Sequence, residues 1–180
     1  MGKWATYSRR GSGGPAAPGP PPEPTLLATF HSPSNTEQAA AVSFGRTFLA
    51  GRFVAAADWD VTRIDLFLRR LGTSDGPVRC RTWLNNSGIP GSALVTSAAV
   101  FWSVLPVALD WVAFSFTTPL DLASGQITWA VVDLSASPAQ VVMGERSGQS
   151  SSTFFSADGS SWAMLGSAGI APLFRVWGFA

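Results

Sequence analysis

Apolar residues return at every second position over most of the chain. "VTRIDLFLRRL" at 61–71 sets Val61, Ile64, Leu66 and Leu68 among polar residues. "PVRCRTWL" at 77–84 alternates Val78, Cys80, Thr82 and Leu84 against Arg79, Arg81 and Trp83. "LDWVAFSF" at 109–116 sends Trp111, Ala113 and Ser115 one way and Val112, Phe114 and Phe116 the other. A period of two is the signature of a strand with one face on a core, because successive side chains leave a pleated backbone on opposite sides. "SFGRTFLAGRFV", "SALVTSAAVFW", "QITWAVVDL", "AQVVMGE", "STFFSADGSSWAML" and "PLFRVWGFA" continue the pattern. Clusters of Gly, Ser, Asn and Pro fall between them, so about eight to ten short strands are predicted.

Two turn signals are specific. "NNSGIPG" at 85–91 packs turn formers together, and Asp158-Gly159 between aromatic runs is a hairpin signal. The alanine-rich stretch 39–59 has tolerable helical spacing, but Gly45, Gly51 and its β-branched and aromatic residues argue against a helix. One helical turn in "TEQAAA" at 36–41 is the most that is expected. The fold class predicted is all-β, an antiparallel β-sandwich of jelly-roll type.

The N-terminus breaks the pattern. "WATYSRRGSGGPAAPGPPPEP" at 4–24 carries two aromatics and two arginines, then a Gly and Pro run. Its Pro-rich half would span on the order of 30 Å as polyproline II, a semi-rigid spacer. The division predicted is therefore an extended N-terminal anchoring arm and linker at 1–41 and a sandwich domain at 42–180. Within the arm, Trp4, Tyr7, Arg9 and Arg10 are the partner-binding residues, because extended peptides with such side chains dock on sheet edges and grooves.

Composition narrows the function. A chain of 180 residues suits one domain plus an appendage, and its net charge of +1 gives no strong field toward nucleic acid or an anionic membrane. No apolar run follows the basic start and none of 18 residues occurs elsewhere, so neither a signal peptide nor membrane insertion is expected, and synthesis in the cytoplasm is. Cys80 is the single cysteine, which excludes an internal disulfide and a cysteine-based zinc site.

Catalytic chemistry is thinly supplied. His31 is the sole histidine and sits in the lead-in, away from any fixed nucleophile. Asp58 and Asp60 in "ADWD" are placed to share one face of a strand, Asp110, Asp121 and Asp158 fall near turns, and the loop at Asp158 lacks the ligand density of a calcium loop. No Gly-rich phosphate loop opens a helix. The expectation is a protein without enzymatic activity, cofactor or metal. Eight tryptophans invite a second reading, since exposed indoles stack on sugar rings. Trp59, Trp102 and Trp162 lie beside turns and are the glycan-binding candidates, whereas Trp111, Trp129 and Trp177 lie inside strands and are expected in the core.

The order of motifs from Ile64 to Leu134 resembles a family of jelly-roll modules appended to tailed-phage virion proteins and to bacterial extracellular proteins. Ile64–Leu68 matches its first aliphatic strand, Gly88–Leu94 its "G-x-P-G-x-x-L" segment, Trp111–Gly125 its "W-x-x-F-x-F-x-x-P-x-x-L-x-x-G" strand and turn, and Ile127–Leu134 its last aliphatic strand. The late "FSADGSSW…LFRVWG" looks like its closing hairpin and final strand. The resemblance implies a structural protein of the virion surface, a capsid decoration or cement protein ahead of a tail-fibre component. Its implied partners are other virion proteins, the major capsid protein or tail proteins, and further copies of itself, a trimer in the head version. A cell-surface glycan is the alternative partner.

Overall fold

The computed structural model describes residues 21–29, 38–42, 47–73, 76–136, 140–146, 153–164 and 171–180. Among the described residues, fourteen strands form two antiparallel sheets that pack face to face. Sheet A contains β1 (Thr25–Thr29), β2 (Gln38–Val42), β4 (Trp59–Leu71), β8 (Asp110–Leu122), β10 (Gln140–Arg146), β13 (Ala171–Pro172) and β14 (Phe174–Phe179). Sheet B contains β3 (Phe48–Val54), β5 (Pro77–Asn86), β6 (Ile89–Thr96), β7 (Val100–Phe101), β9 (Ile127–Asp133), β11 (Phe154–Ser156) and β12 (Ala163–Met164). The all-β sandwich expected from the alternation is thus observed.

The core is the space between the sheets. From sheet A, Val61, Ile64, Leu66, Leu68, Phe114 and Val176 point into it; from sheet B, Leu49, Phe53, Cys80, Ala130 and Val132 do so. Val61 and Ile64 are three residues apart, which a regular strand would put on opposite faces. A register shift between Val61 and Arg63 in the pairing of β4 with β8 keeps both inward. A second shift, between Trp83 and Asn85 in the pairing of β5 with β6, ends the alternation of β5 early. Leu84, expected inward, is consequently 39% exposed.

Close approach of the sheets fixes one glycine. A Cβ on Gly51 would lie 2.3 Å from Cγ of Pro172, so β3 meets β13 where only hydrogen fits. At the β5–β6 turn, Gly88 holds φ at +92°, as the "NNSGIPG" cluster requires.

Two details differ from the expectations. The sandwich begins before residue 42: β1 pairs with β14, from Thr25 opposite Gly178 to Thr29 opposite Arg175, and β2 pairs with β10. Both strands complete an edge whose backbone groups would otherwise lack partners. For the same reason residues 38–41 are extended strand, not a helical turn. The hairpin expected at Asp158-Gly159 is present, with Phe154 opposite Met164 and a loop over residues 157–162. Asp158 organises that loop: its Oδ1 accepts the backbone N–H groups of Ser160 at 2.7 Å and Ser161 at 2.9 Å. These bonds hold its carboxyl well below the ordinary carboxylate range.

Candidate functional site

The arm residues Trp4, Tyr7, Arg9 and Arg10, and His31, lie outside the described residues. The root of the arm is described: residues 21–24 are exposed and lead directly into β1 on the edge of sheet A.

The three tryptophans proposed for sugar stacking do not form a site together. Trp59 is 5% exposed and belongs to the main core, so its ring faces are covered. Trp162 folds back from the β11–β12 hairpin onto the outer face of sheet B, 5.4 Å from Trp83 and 6.3 Å from Phe48 between ring centroids. With Trp129, Val131, Ala50 and Phe154 these rings make a second apolar cluster, roofed by the hairpin. Trp129, expected in the core, is buried in this cluster and donates from Nε1 to Asn85 Oδ1 at 3.1 Å. Trp102 is half-buried, with the Arg70 guanidinium carbon 4.9 Å from its ring centroid.

Arg70 braces the turn around Trp102. Its Nη1 donates to Ser103 O at 2.9 Å and its backbone N–H to Pro106 O at 2.9 Å. The braced turn presents Phe101, Val104 and Val107 to solvent, at 56%, 73% and 67% exposure. Such apolar exposure at one place marks a contact surface more often than scattered surface leucines do.

The outer face of sheet A holds the most organised polar arrangement among the described residues. Alternation puts Arg63, Asp65 and Phe67 of β4, Arg175 and Trp177 of β14, and Trp111, Ala113 and Ser115 of β8 on this one face. Trp111 and Trp177, read from sequence as core, therefore lie half-buried outside it. Their strand-interior position carried no information about which side they take.

Asp65 sits at the centre. Trp177 Nε1 donates to its Oδ2 at 2.7 Å, and Arg63 Nε lies 2.9 Å from its Oδ1. The Arg63 guanidinium stands 4.3 Å from the Trp177 centroid, and that of Arg175 stands 3.9 Å from the Trp111 centroid. Two cation–π stacks thus flank one buried carboxylate. On the opposite sheet the comparable pair among the described residues is Arg81 Nε and Asp133 Oδ2 at 2.6 Å. Neither Asp65 nor Asp133 stood out in the sequence, because an acid within an alternating strand reads as a solvated position.

Of the carboxylates that did stand out, Asp60 and Asp121 face each other across β4 and β8, and the others bond backbone groups in or beside turns. Asp58 Oδ1 accepts the Ser124 N–H at 2.8 Å, and Asp110 Oδ1 accepts the Trp111 N–H at 2.7 Å. No group of three metal-ligating side chains gathers among the described residues. Burial pushes the Cys80 thiol far above its ordinary range, which keeps it protonated. No family model, curated protein or solved structure matches the chain.

Proposed function

We propose that this is a non-enzymatic structural protein of a tailed-phage particle, held by its N-terminal arm and displaying the sandwich, of jelly-roll type, on the virion surface. The observation that carries this reading is the union of the arm with the body. The Gly and Pro spacer runs without a break into β1, which is hydrogen-bonded into sheet A rather than loosely attached. A tether needs such a fixed root, because a load on the arm must reach the body. The sequence resemblance to appended virion modules supports the same assignment, and favours decoration of the head over a tail fibre. The apolar turn at Phe101, Val104 and Val107 offers a surface for a neighbouring virion protein or another copy.

Deleting residues 1–20 tests the anchor while sparing β1. The truncated protein is expected to melt cooperatively like the full chain and to be absent from purified particles. Incorporation at the normal level would overturn the assignment. Imaging of labelled particles is expected to place the protein on the head.

A further inference from the structure

At the centre of the outer face of sheet A, two guanidinia, those of Arg63 and Arg175, stand beside one carboxylate, that of Asp65. Across the sheet, Thr29 of β1, Arg175 of β14, Asp65 of β4 and Ala113 of β8 form one row. Asp65 is Arg175's direct cross-strand neighbour, yet it is taken by Arg63 and by the Trp177 indole. The Arg175 side chain has no ion pair and no hydrogen-bond acceptor among the described residues; it is held over Trp111 by its ring instead. Its position is therefore fixed while its N–H fork is unsatisfied. That combination suits an incoming carboxylate, which a guanidinium binds through two parallel hydrogen bonds with little ordering left to do.

We propose that this face is a receptor for a carboxylate-bearing sugar, a uronate or a sialate, with its carboxylate on Arg175. The surroundings favour a sugar over a protein's acidic side chain. Ala113 and Ser115 are small and exposed, so no bulky side chain of β8 covers this end of the row. Hydroxyls stand on both sides, Thr29 beside Arg175 and Ser115 beside Arg63, where ring hydroxyls need partners. Trp111 supplies an apolar edge for ring C–H groups. An acidic peptide would use the fork alone. The site goes beyond the anchoring role and belongs to a single chain; only its avidity rests on display in many copies, which multiplies weak single-site binding.

The test uses the full chain in solution, with trigalacturonate and 3′-sialyllactose as probes, and the methyl ester of the first, lactose and a short polyglutamate as controls. Tryptophan fluorescence and calorimetry read the binding. At least one acidic sugar is expected to bind, with its neutral counterpart about tenfold weaker or more. Arg175→Gln is expected to remove binding, and Arg175→Lys to keep a minor part of it, because the fork is lost while the charge remains. Ser115→Trp fills that end of the row from an exposed position and is expected to block the sugar with an unchanged melting temperature; it keeps the test open should Arg175→Gln fold poorly. Binding of neither acidic sugar, wild-type binding by the Ser115→Trp or folded Arg175→Gln protein, or polyglutamate binding as tight as the sugars would each overturn the proposal. Loss of sugar binding with normal particle incorporation would sink the receptor and leave the anchor standing.

Discussion

Gly51 and Pro172 touch across the two sheets, and neither is replaceable alone in the same way. Gly51→Ala drives a methyl into a rigid ring at 2.3 Å and is expected to destabilise by about 1–3 kcal/mol, the usual range for overpacking. Adding Pro172→Ala opens the space the methyl needs. A double-mutant cycle by denaturant unfolding should then give a favourable coupling energy; strict additivity would show that the contact is not the source of the loss. Cys80 makes a different prediction. Its folded-state thiol is raised above the ordinary 9.0, so the stability it contributes is complete below that value and declines as pH rises, when only the unfolded chain ionises. The rest of the chain offers only Tyr7 and Lys3 as tyrosine and lysine in this range. Cys80→Val is therefore expected to flatten the loss of stability between about pH 9 and 10. Asp158 has the opposite sign: its lowered pKa makes the stability it contributes complete above the ordinary carboxylate value, and that contribution declines as pH falls below about 4, where only the unfolded chain binds the proton.

The strands differ in how plainly their sequences announce them. In β4 and β8 the alternation of large aliphatic and polar residues marks the buried face, and every inward position named from it in β4 is buried. The register shift that reconciles Val61 with Ile64 is itself legible as a three-residue step in an otherwise two-residue pattern. β1 and β2 were illegible for a physical reason: an edge strand borrows its order from the partner's backbone, which is blind to side-chain type. The β11–β12 hairpin hid its function too, because rings that roof an outer face have the composition of rings that fill a core. That second cluster separates two indoles of similar burial. Trp129 Nε1 has Asn85 as acceptor, whereas Trp83 Nε1 is buried without a partner among the described residues. Trp129→Phe should lose about 1 kcal/mol more than Trp83→Phe, since only the first breaks a bond and leaves an acceptor bare. Equal losses by thermal melting would place the difference elsewhere in the packing.

At the scale of the molecule, one face, one turn and one strand edge carry the functional reading. The sheet face was not found from sequence because it is assembled by three strands distant along the chain, and its tryptophans resemble any others until their side of the sheet is known. The turn at Phe101, Val104 and Val107 gives an independent check on assembly: Val104→Asp is expected to leave the melting temperature within about a degree, as surface substitutions usually do, and to reduce incorporation into particles. The edge strand β1 has a mechanical meaning. Its hydrogen bonds to β14 run at right angles to the strand, so a pull along β1 strains them all at once in shear, whereas a pull away from the sheet opens them singly from Thr25. A particle that holds the arm in line with β1 would keep its sandwich through forces that strip one held crosswise.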